Sequence, residues 1–399
     1  NDVLNGFMKA DFFENTQIAF RLKSTLELKK AYWLFKLIQY RFLVGLGKVA
    51  IQAALNLRLP VEGLIKATVF NQFCSGTSAM GSQKVVARLS DLNIASVLAY
   101  SVEGLTSEAG FDESLKKTLE TLEVQANNPN HPYGVFKPTA IGAFLLFEKV
   151  SEGAKLTVQE TSAWHRVRDR FSSLCEHAIE WKIRLFIDAE ESWIQPAIDK
   201  LAETAMLQYN KNELWIVTTV QMYRHDRLAY LNSLVKKGKK EGFHVGVKLV
   251  RGAYIEKETL RSQKMKYPNP LCISKTATDK NFDAGVAFLI DHLEHCTLFM
   301  GSHNEKSITT LIELLRRKKI PSNHPNVWFG QLYGMSDHLS FNLAEAGYNV
   351  AKYIPFGPVR EVMPYLIRRA EENTSVAGQS SRELELISKE LKRRQSKVV

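Results

Sequence analysis

Tyr365, Arg368, Arg369 and Glu372 stand at i, i+3, i+4 and i+7, so a helix through them carries all four on one face. Gly357-Pro358 precedes that stretch and suits its first turn. An outer helix of a packed domain would show aliphatic residues on such a face. Two adjacent arginines between a tyrosine and a glutamate point instead to a bound anion, because a guanidinium is a planar fork that grips a carboxylate through two hydrogen bonds. For this helix alone, a solvated surface face is the alternative.

A second set of polar residues gathers at one end of short apolar runs. In chain order these are Ser101 and Glu103; Lys137; Asp188, Glu190 and Glu191; Gln221 and Tyr223; Lys248, Arg251 and Tyr254; His303 and Asn304; Gln331 and Tyr333; and Tyr353. A helix cap or a strand-end salt bridge explains any one of them. Eight sets at the same end of eight runs read as one functional mouth.

The runs themselves are Ile94–Tyr100, Gly134–Pro138, Ile183–Asp188, Leu214–Thr219, Val245–Val250, Thr297–Gly301, Val327–Gln331 and Asn349–Ile354. They are apolar on consecutive positions, as strands buried on both faces must be. Helical stretches follow them, among them Asp112–Gln125, Ala197–Gln208, Arg224–Lys240, Asp279–Glu294 and Glu305–Arg317. No hairpin signal interrupts the alternation, so the fold predicted is α/β: a (β/α)₈ barrel of TIM type, with its site at the C-terminal ends of the strands. Thr161–Trp181 reads as an insertion after the second unit. Residues 1–93 read as a helical region, 94–375 as the barrel, and 376–399 as a basic tail. In the helical region Leu26, Leu28, Tyr32, Trp33, Phe35, Leu37, Ile38, Phe42 and Leu43 form a broad apolar surface broken by Lys29, Lys30, Lys36 and Arg41; Asn56–Gly81 continues the pattern from a helix start at Pro60.

Composition narrows the classes further. The 399 residues are 45% hydrophobic and 24% charged, which excludes wholesale disorder. Cys74, Cys175, Cys272 and Cys296 lie far apart without a CxxC, against a disulfide framework or structural zinc and in keeping with a reducing compartment. No run approaches the ~18 apolar residues of a membrane span, and no signal-peptide pattern is visible. The formal charge of +11 suggests nucleic acid or an anionic membrane surface. Gly45, Gly47 and Ala50 match a dinucleotide fingerprint but sit in a helical pattern with no βαβ unit, and His292, His295 and Cys296 lack further metal ligands.

The run Val247-Lys248-Leu249-Val250-Arg251-Gly252-Ala253-Tyr254 resembles the fifth-strand signature of the proline dehydrogenase family. So do Asp188-Ala189-Glu190, Ser302-His303-Asn304, Gln331-Leu332-Tyr333-Gly334-Met335, Tyr353-Ile354-Pro355-Phe356-Gly357 and the stretch from Tyr365 to Asn373, all in the family's order. The resemblance spans roughly 94–375 and is closest to the monofunctional, mitochondrial-type branch. It implies a distorted (β/α)₈ barrel whose eighth helix lies over the mouth, and an FAD enzyme that oxidises L-proline to Δ1-pyrroline-5-carboxylate by hydride transfer to flavin N5, passing electrons to a quinone.

Carried over by position, Lys137, Arg368 and Arg369 resemble the clamp on the substrate carboxylate, with Glu372 as an acidic partner and Leu332, Tyr353 and Tyr365 around the ring. Asp188 and Lys248 take the catalytic positions; Asp188 is read as orienting and balancing charge. Gln221, Ala189, Arg251, Gly252, Ala253, Tyr254, Ser302, His303 and Asn304 resemble flavin contacts, and Lys275 and Thr276 a further FAD-contacting stretch. Many bacterial members carry Arg where Lys248 stands, and a single ammonium replaces that fork. The hydroxyproline-oxidising branch tends to have a small residue where Tyr353 stands, so Tyr353 favours proline.

Two rivals stand beside this reading. A Schiff-base aldolase on the same barrel would use Lys248 or Lys137 as nucleophile. A non-enzymatic basic module would use the +11 charge and the tail Lys389-Glu390-Leu391-Lys392-Arg393-Arg394, but no nucleic-acid motif with interleaved aromatics is present. For the tail itself a solvated charged helix is the simpler expectation. The N-terminal apolar-basic helices either cap the barrel or make a peripheral membrane contact. The matching location is intracellular: bacterial cytoplasm beside the inner membrane, or the matrix side of the mitochondrial inner membrane.

Overall fold

The computed structural model describes residues 12–40, 42, 44–47, 61–100, 104–375 and 379–396, without the side chains of 64, 370–375, 379 and 380. Eight parallel strands follow one another around a sheet: β1 (Ile94–Tyr100), β2 (Tyr133–Phe136), β3 (Arg184–Ile187), β4 (Ile216–Gln221), β5 (Val245–Val250), β6 (Cys296–Gly301), β7 (Val327–Leu332) and β8 (Val350–Phe356). β1 pairs with β8 from Ile94↔Val350 to Tyr100↔Phe356. β1 and β2 share no ladder among the described residues, but the Ser96 amide donates to the Asn130 carbonyl at 2.8 Å. The result is a nearly closed (β/α)₈ barrel, and all eight expected strands are present within about two residues of their expected ends.

Strand alternation splits the core in two. Ala95, Val97, Ala99, Tyr133, Val135, Phe186, Val217, Phe299 and Ala351 form one buried cluster inside the barrel. Its floor is aromatic: Tyr133 stacks on Phe186 at 4.4 Å, and Trp328 meets Tyr133 edge-on at 5.5 Å. Residues of the opposite parity, such as Ile94, Leu98, Leu185, Leu249, Leu298 and Ile354, join the larger cluster between sheet and helices.

The helix expected as an insertion is corrected. Val158–Glu180 starts at a capping box, in which Thr157 accepts from the Glu160 amide and Glu160 accepts from the Thr157 amide. Its Val167, Phe171, Leu174, Cys175 and Ala178 lie in the main core, so it is the ring helix between β2 and β3. The added piece is the short helix Phe144–Ser151 before it. Periodicity shows that a helix exists, but not where in a ring it sits.

The last ring position is filled unusually. Val86 and Leu89 of helix Gln83–Ser90 pack with Ile94 and Leu98 of β1 in the main cluster. None of the described side chains of helix Met363–Ser375, which follows β8, belongs to that cluster. Its Met363, Tyr365 and Leu366 belong to a separate cluster with Phe20, Leu28, Phe35, Phe70 and Phe73 from the N-terminal helices and Leu386 and Ile387 from the final helix Gln379–Gln395. That final helix is not a solvated tail: Glu390 is fully buried, accepts from Thr16 Oγ1 at 2.9 Å, and is paired with Arg393 and Arg394. Pro60, Ala50, Ser101 and Glu103 lie outside the described residues.

Candidate active site

β2, β3, β4, β5, β7 and β8 each aim one polar or bulky residue of the inward parity at the C-terminal mouth: Lys137, Asp188, Gln221, Lys248, Leu332 and Tyr353. Gln331 and Tyr333 have the opposite parity and point away from it. Gln331 is spent on structure, donating to the Ser302 carbonyl at 3.1 Å and accepting from Ser340 Oγ at 2.8 Å.

Three of the inward residues form one group. The Lys248 ammonium is ion-paired with Asp188 Oδ1, and the two side chains are only 8% and 14% exposed. Tyr353 donates its hydroxyl to Asp188 Oδ2 at 3.3 Å. Lys248 Nζ also lies 4.8 Å from the Phe186 ring centre and 5.6 Å from that of Tyr353. Charges this deep persist only when paired, and here the ammonium has a carboxylate and two ring faces. Burial, then the Asp188 charge, push the Tyr353 phenol well above its ordinary range, so it stays a neutral donor.

A second group surrounds a cavity of about 180 Å³ whose lining includes Lys137, Thr139, Glu190, Glu191, Tyr254 and Arg368. Glu190 organises it. Its carboxylate accepts from the Thr139 amide at 2.9 Å and from Thr139 Oγ1 at 2.6 Å, which fixes the turn after Lys137. Its backbone carbonyl accepts from Gln221 Nε2 at 2.7 Å. Burial raises its carboxyl to about 7, against the opposing pull of Lys137. Glu191 is paired with Lys257 at 2.5 Å. Ala189 lies between Asp188 and Glu190 and joins the two groups along the chain.

The third group is a polar cradle beside β5 and β6. Arg251 Nε donates to Asp279 Oδ1 at 2.8 Å, Nη1 to Ser302 Oγ at 3.0 Å and Nη2 to Ser307 Oγ at 2.9 Å, while its plane lies over Phe282. Three of its five N–H groups are thereby fixed, leaving two to offer. Lys275, in the first turn of helix Lys275–Asp291, shares Asp279 at 2.7 Å, and the neighbouring Thr276 is exposed. Gly252 has φ +135°, and a β-carbon there would lie 2.5 Å from the Tyr223 ring, so only glycine lets the chain pass with its amides open beside Ala253. Asn304 is committed to capping helix Glu305–Arg317, accepting from the Ser307 amide.

His303 faces Ser336 Oγ at 2.9 Å through Nδ1, and the Leu332 amide donates to Nε2 at 3.4 Å. That network assigns the proton to Nδ1. Burial and then the Lys352 and Arg369 charges hold its pKa near 3, so the ring is neutral. Arg369 stacks 5.4 Å from the buried Tyr365 ring. The side chain of Glu372 lies outside the described residues. Arg368 reaches the mouth cavity, and Arg368 and Tyr365 act on Tyr353 electrostatically, so helix Met363–Ser375 lies against the mouth.

The roles of Glu190, Thr139 and Ser336 escaped the sequence reading. Glu190 was visible in Asp188-Ala189-Glu190, but nothing local shows that its oxygens reach Thr139. Among the described residues the polar contacts of the His292 and His295 side chains are local, to the Phe288 carbonyl and to Glu294.

Residues 82–382 match the family model described as Proline dehydrogenase. The carbapenem antibiotics biosynthesis protein CarD of Pectobacterium carotovorum subsp. carotovorum is 33% identical over 84% of this chain and 86% of its own length. Proline dehydrogenase 1, mitochondrial, of Dictyostelium discoideum is 31% identical over 93% of this chain and 73% of its own. Among solved structures, proline utilization A from Bdellovibrio bacteriovorus inactivated by N-propargylglycine superposes with a TM-score of 0.71 over 97% of this chain at 20% identity. That likeness concerns the fold, and this chain spans 39% of that structure's length.

Proposed function

This chain belongs to the proline dehydrogenase family, oxidoreductases acting on the CH–NH group of donors, and from that premise we propose that it oxidises L-proline to Δ1-pyrroline-5-carboxylate with FAD as its cofactor. The observation that carries the reading is the convergence of Arg368, from the helix displaced out of the ring, with Lys137 on one cavity of the mouth. Together with Arg369 they are the cations that would hold the substrate carboxylate. The family match leaves the aldolase alternative without support, and Lys248 is engaged with Asp188 rather than poised as a free nucleophile.

The cradle fits FAD. A diphosphate needs fixed cations and open backbone amides, and the pinned Arg251, Lys275 and the Gly252-Ala253 turn offer both. Ser302, His303 and Gln221 would flank the ring system, with Ala189 and Tyr254 beside it. When bound, FAD supplies the acceptor for the hydride that leaves the carbon beside proline's nitrogen. The protein's part is to fix the carboxylate through Lys137, Arg368 and Arg369, to wall the ring with Leu332, Tyr353 and Tyr365, and to hold Asp188 and Lys248 as a neutralised pair that orients the substrate. Lys248 would also offer its N–H donors to the negative charge that develops on the reduced ring system. A bulky Tyr353 tied to Asp188 would crowd a ring hydroxyl, which supports proline over hydroxyproline as the substrate.

Anaerobic titration of the purified protein with proline tests this. Bleaching of the flavin band by proline, and not by hydroxyproline, is expected. A borohydride-trapped substrate adduct on a flavin-free protein would overturn it.

A quinone as electron acceptor and a peripheral membrane contact complete the reading. In helix Thr25–Ile38 one face is buried through Leu28, Ala31, Phe35 and Ile38, while Leu26, Trp33 and Leu37 are more than half exposed among Lys29, Lys30 and Lys36. An apolar and basic face of this kind suits an anionic lipid surface beside the cytoplasmic or matrix-side membrane. No described helix is long and apolar enough to cross a membrane. Co-sedimentation with phosphatidylserine-containing vesicles should fall when Leu26, Trp33 and Leu37 are replaced by Ser; equal binding removes this face from the role.

A further inference from the structure

The turn between β7 and helix Asp337–Glu345 carries two groups of the proposed site: Leu332 at its start, and Ser336, the partner of His303. Its backbone is unusual. Gly334 has φ +80°, and Ser336 has φ +49°, a left-handed conformation that a non-glycine residue holds only where its surroundings enforce it.

Part of the enforcement comes from outside the barrel. Gln72, from the helical stretch before β1, donates Nε2 to the Gly334 carbonyl at 2.6 Å, and its own carbonyl oxygen would lie 1.8 Å from a β-carbon at 334. Glu383, 3% exposed in the final helix, accepts from the Ser336 amide. Lys23 is paired with Asp337 Oδ2 at 2.9 Å. Within the barrel, Lys352 points outward from β8, adjacent to the inward Tyr353. It is paired with Asp337 Oδ1 at 2.9 Å and donates to the Met335 carbonyl at 2.6 Å and the Leu332 carbonyl at 3.4 Å. The Gln72, Lys23 and Lys352 contacts border a cavity of about 110 Å³ whose lining includes Tyr333, Gly334 and Asp337, so on that side the turn is held by polar bonds beside open space.

We propose that Glu383, Gln72 and Lys23 are positioning residues of the active site: helices before and after the barrel hold the Leu332–Asp337 turn, and through it the substrate wall at Leu332 and the orientation of His303. Catalytic geometry in this protein is therefore completed by segments that a barrel alone would lack. The inference rests on the proline-oxidising reading given above.

The test compares Glu383→Ala, Glu383→Gln and Gln72→Ala with the wild-type holoenzyme. Glu383→Ala removes the acceptor for the Ser336 amide, whereas Glu383→Gln keeps an oxygen there. Glu383→Ala should raise KM for proline about tenfold, the effect of one unsatisfied buried hydrogen-bonding group, and speed amide exchange in peptides covering 332–337. Glu383→Gln should restore most of both, and Gln72→Ala should act in the same direction should Glu383→Ala fail to fold. A purely structural role would lower the melting temperature with KM and local exchange unchanged, and that result overturns the inference while leaving the enzyme's activity intact. Wild-type protein that proline does not bleach overturns the catalytic reading instead, and the exchange comparison still decides whether the helices hold the turn.

Discussion

Glu190 shows how burial rewrites a carboxylate. It is 4% exposed with Lys137 and Glu191 nearby, and its carboxyl is raised to about 7 from an ordinary value of 4.5. A raised folded-state pKa means that the native protein binds a proton the unfolded chain has released. The stability this contributes is complete below about pH 4.5 and is lost as pH rises through about 7. Glu190→Gln removes that dependence, so its melting temperature should gain on wild type across this window and then level off. A constant difference would contradict the assignment. His303 has the opposite sign: held near 3, it contributes stability above its ordinary 6.5 that is lost on acidification toward 3.

Asp188, Lys248 and Tyr353 can be separated by substitution. Lys248→Met leaves a buried carboxylate without its counter-ion and should cost about 3 kcal/mol in chemical denaturation. Tyr353→Phe loses one 3.3 Å hydrogen bond and should cost about 1 kcal/mol or less in proline binding. Arg368→Ala should lower kcat/KM for proline by about 10–100-fold, as for hydrogen bonds to a charged group, with flavin content unchanged.

At the scale of elements, helix Met363–Ser375 is freed for the mouth because helix Gln83–Ser90 occupies the flank of β1 that a ring helix would cover. The displaced helix needs its own apolar support, which the second cluster supplies from both chain ends. Leu386 is fully exposed to neither solvent nor the barrel core; it is buried at 0% exposure in that cluster. Leu386→Ala should therefore destabilise by about 2–4 kcal/mol and loosen Tyr365 along with it, measurable by denaturant unfolding and amide exchange in 363–375. Unchanged stability would mean that the second cluster is not a cooperative part of the fold.

For the whole molecule, the +11 charge is distributed between uses. Lys137, Lys248, Arg251, Arg368 and Arg369 face the proposed substrate and cofactor positions; Arg382 ties the final helix to Glu14 and Glu305, and Arg394, paired with Glu390 in the same helix, donates to the Lys23 and Phe20 carbonyls. A cofactor that binds only the folded state adds stability by mass action. FAD at about a hundredfold excess over its Kd should add about 2.7 kcal/mol to unfolding, read as a melting temperature that rises with FAD concentration.

The sequence by itself determined the eight strands, because a strand buried on both faces must be apolar at consecutive positions, and these short runs alternate regularly with amphipathic helical stretches. It also determined which polar residues stand near the strand ends, among them Lys137, Asp188, Lys248 and Tyr353; that these four share the inward parity is set by the register of the strands. Only the tertiary structure decided the rest. Whether Val158–Glu180 is an insertion or a ring helix depends on which core it meets, and a charged C-terminal helix is solvated or buried according to what packs on it. Lys352 stands in the middle of an apolar run, and Asp337, Lys23 and the turn they hold are brought to it by folding alone. Periodicity is a local property of the chain; the contacts that finish this site join residues far apart in it, from Glu383 and Ser336 to Lys23 and Asp337.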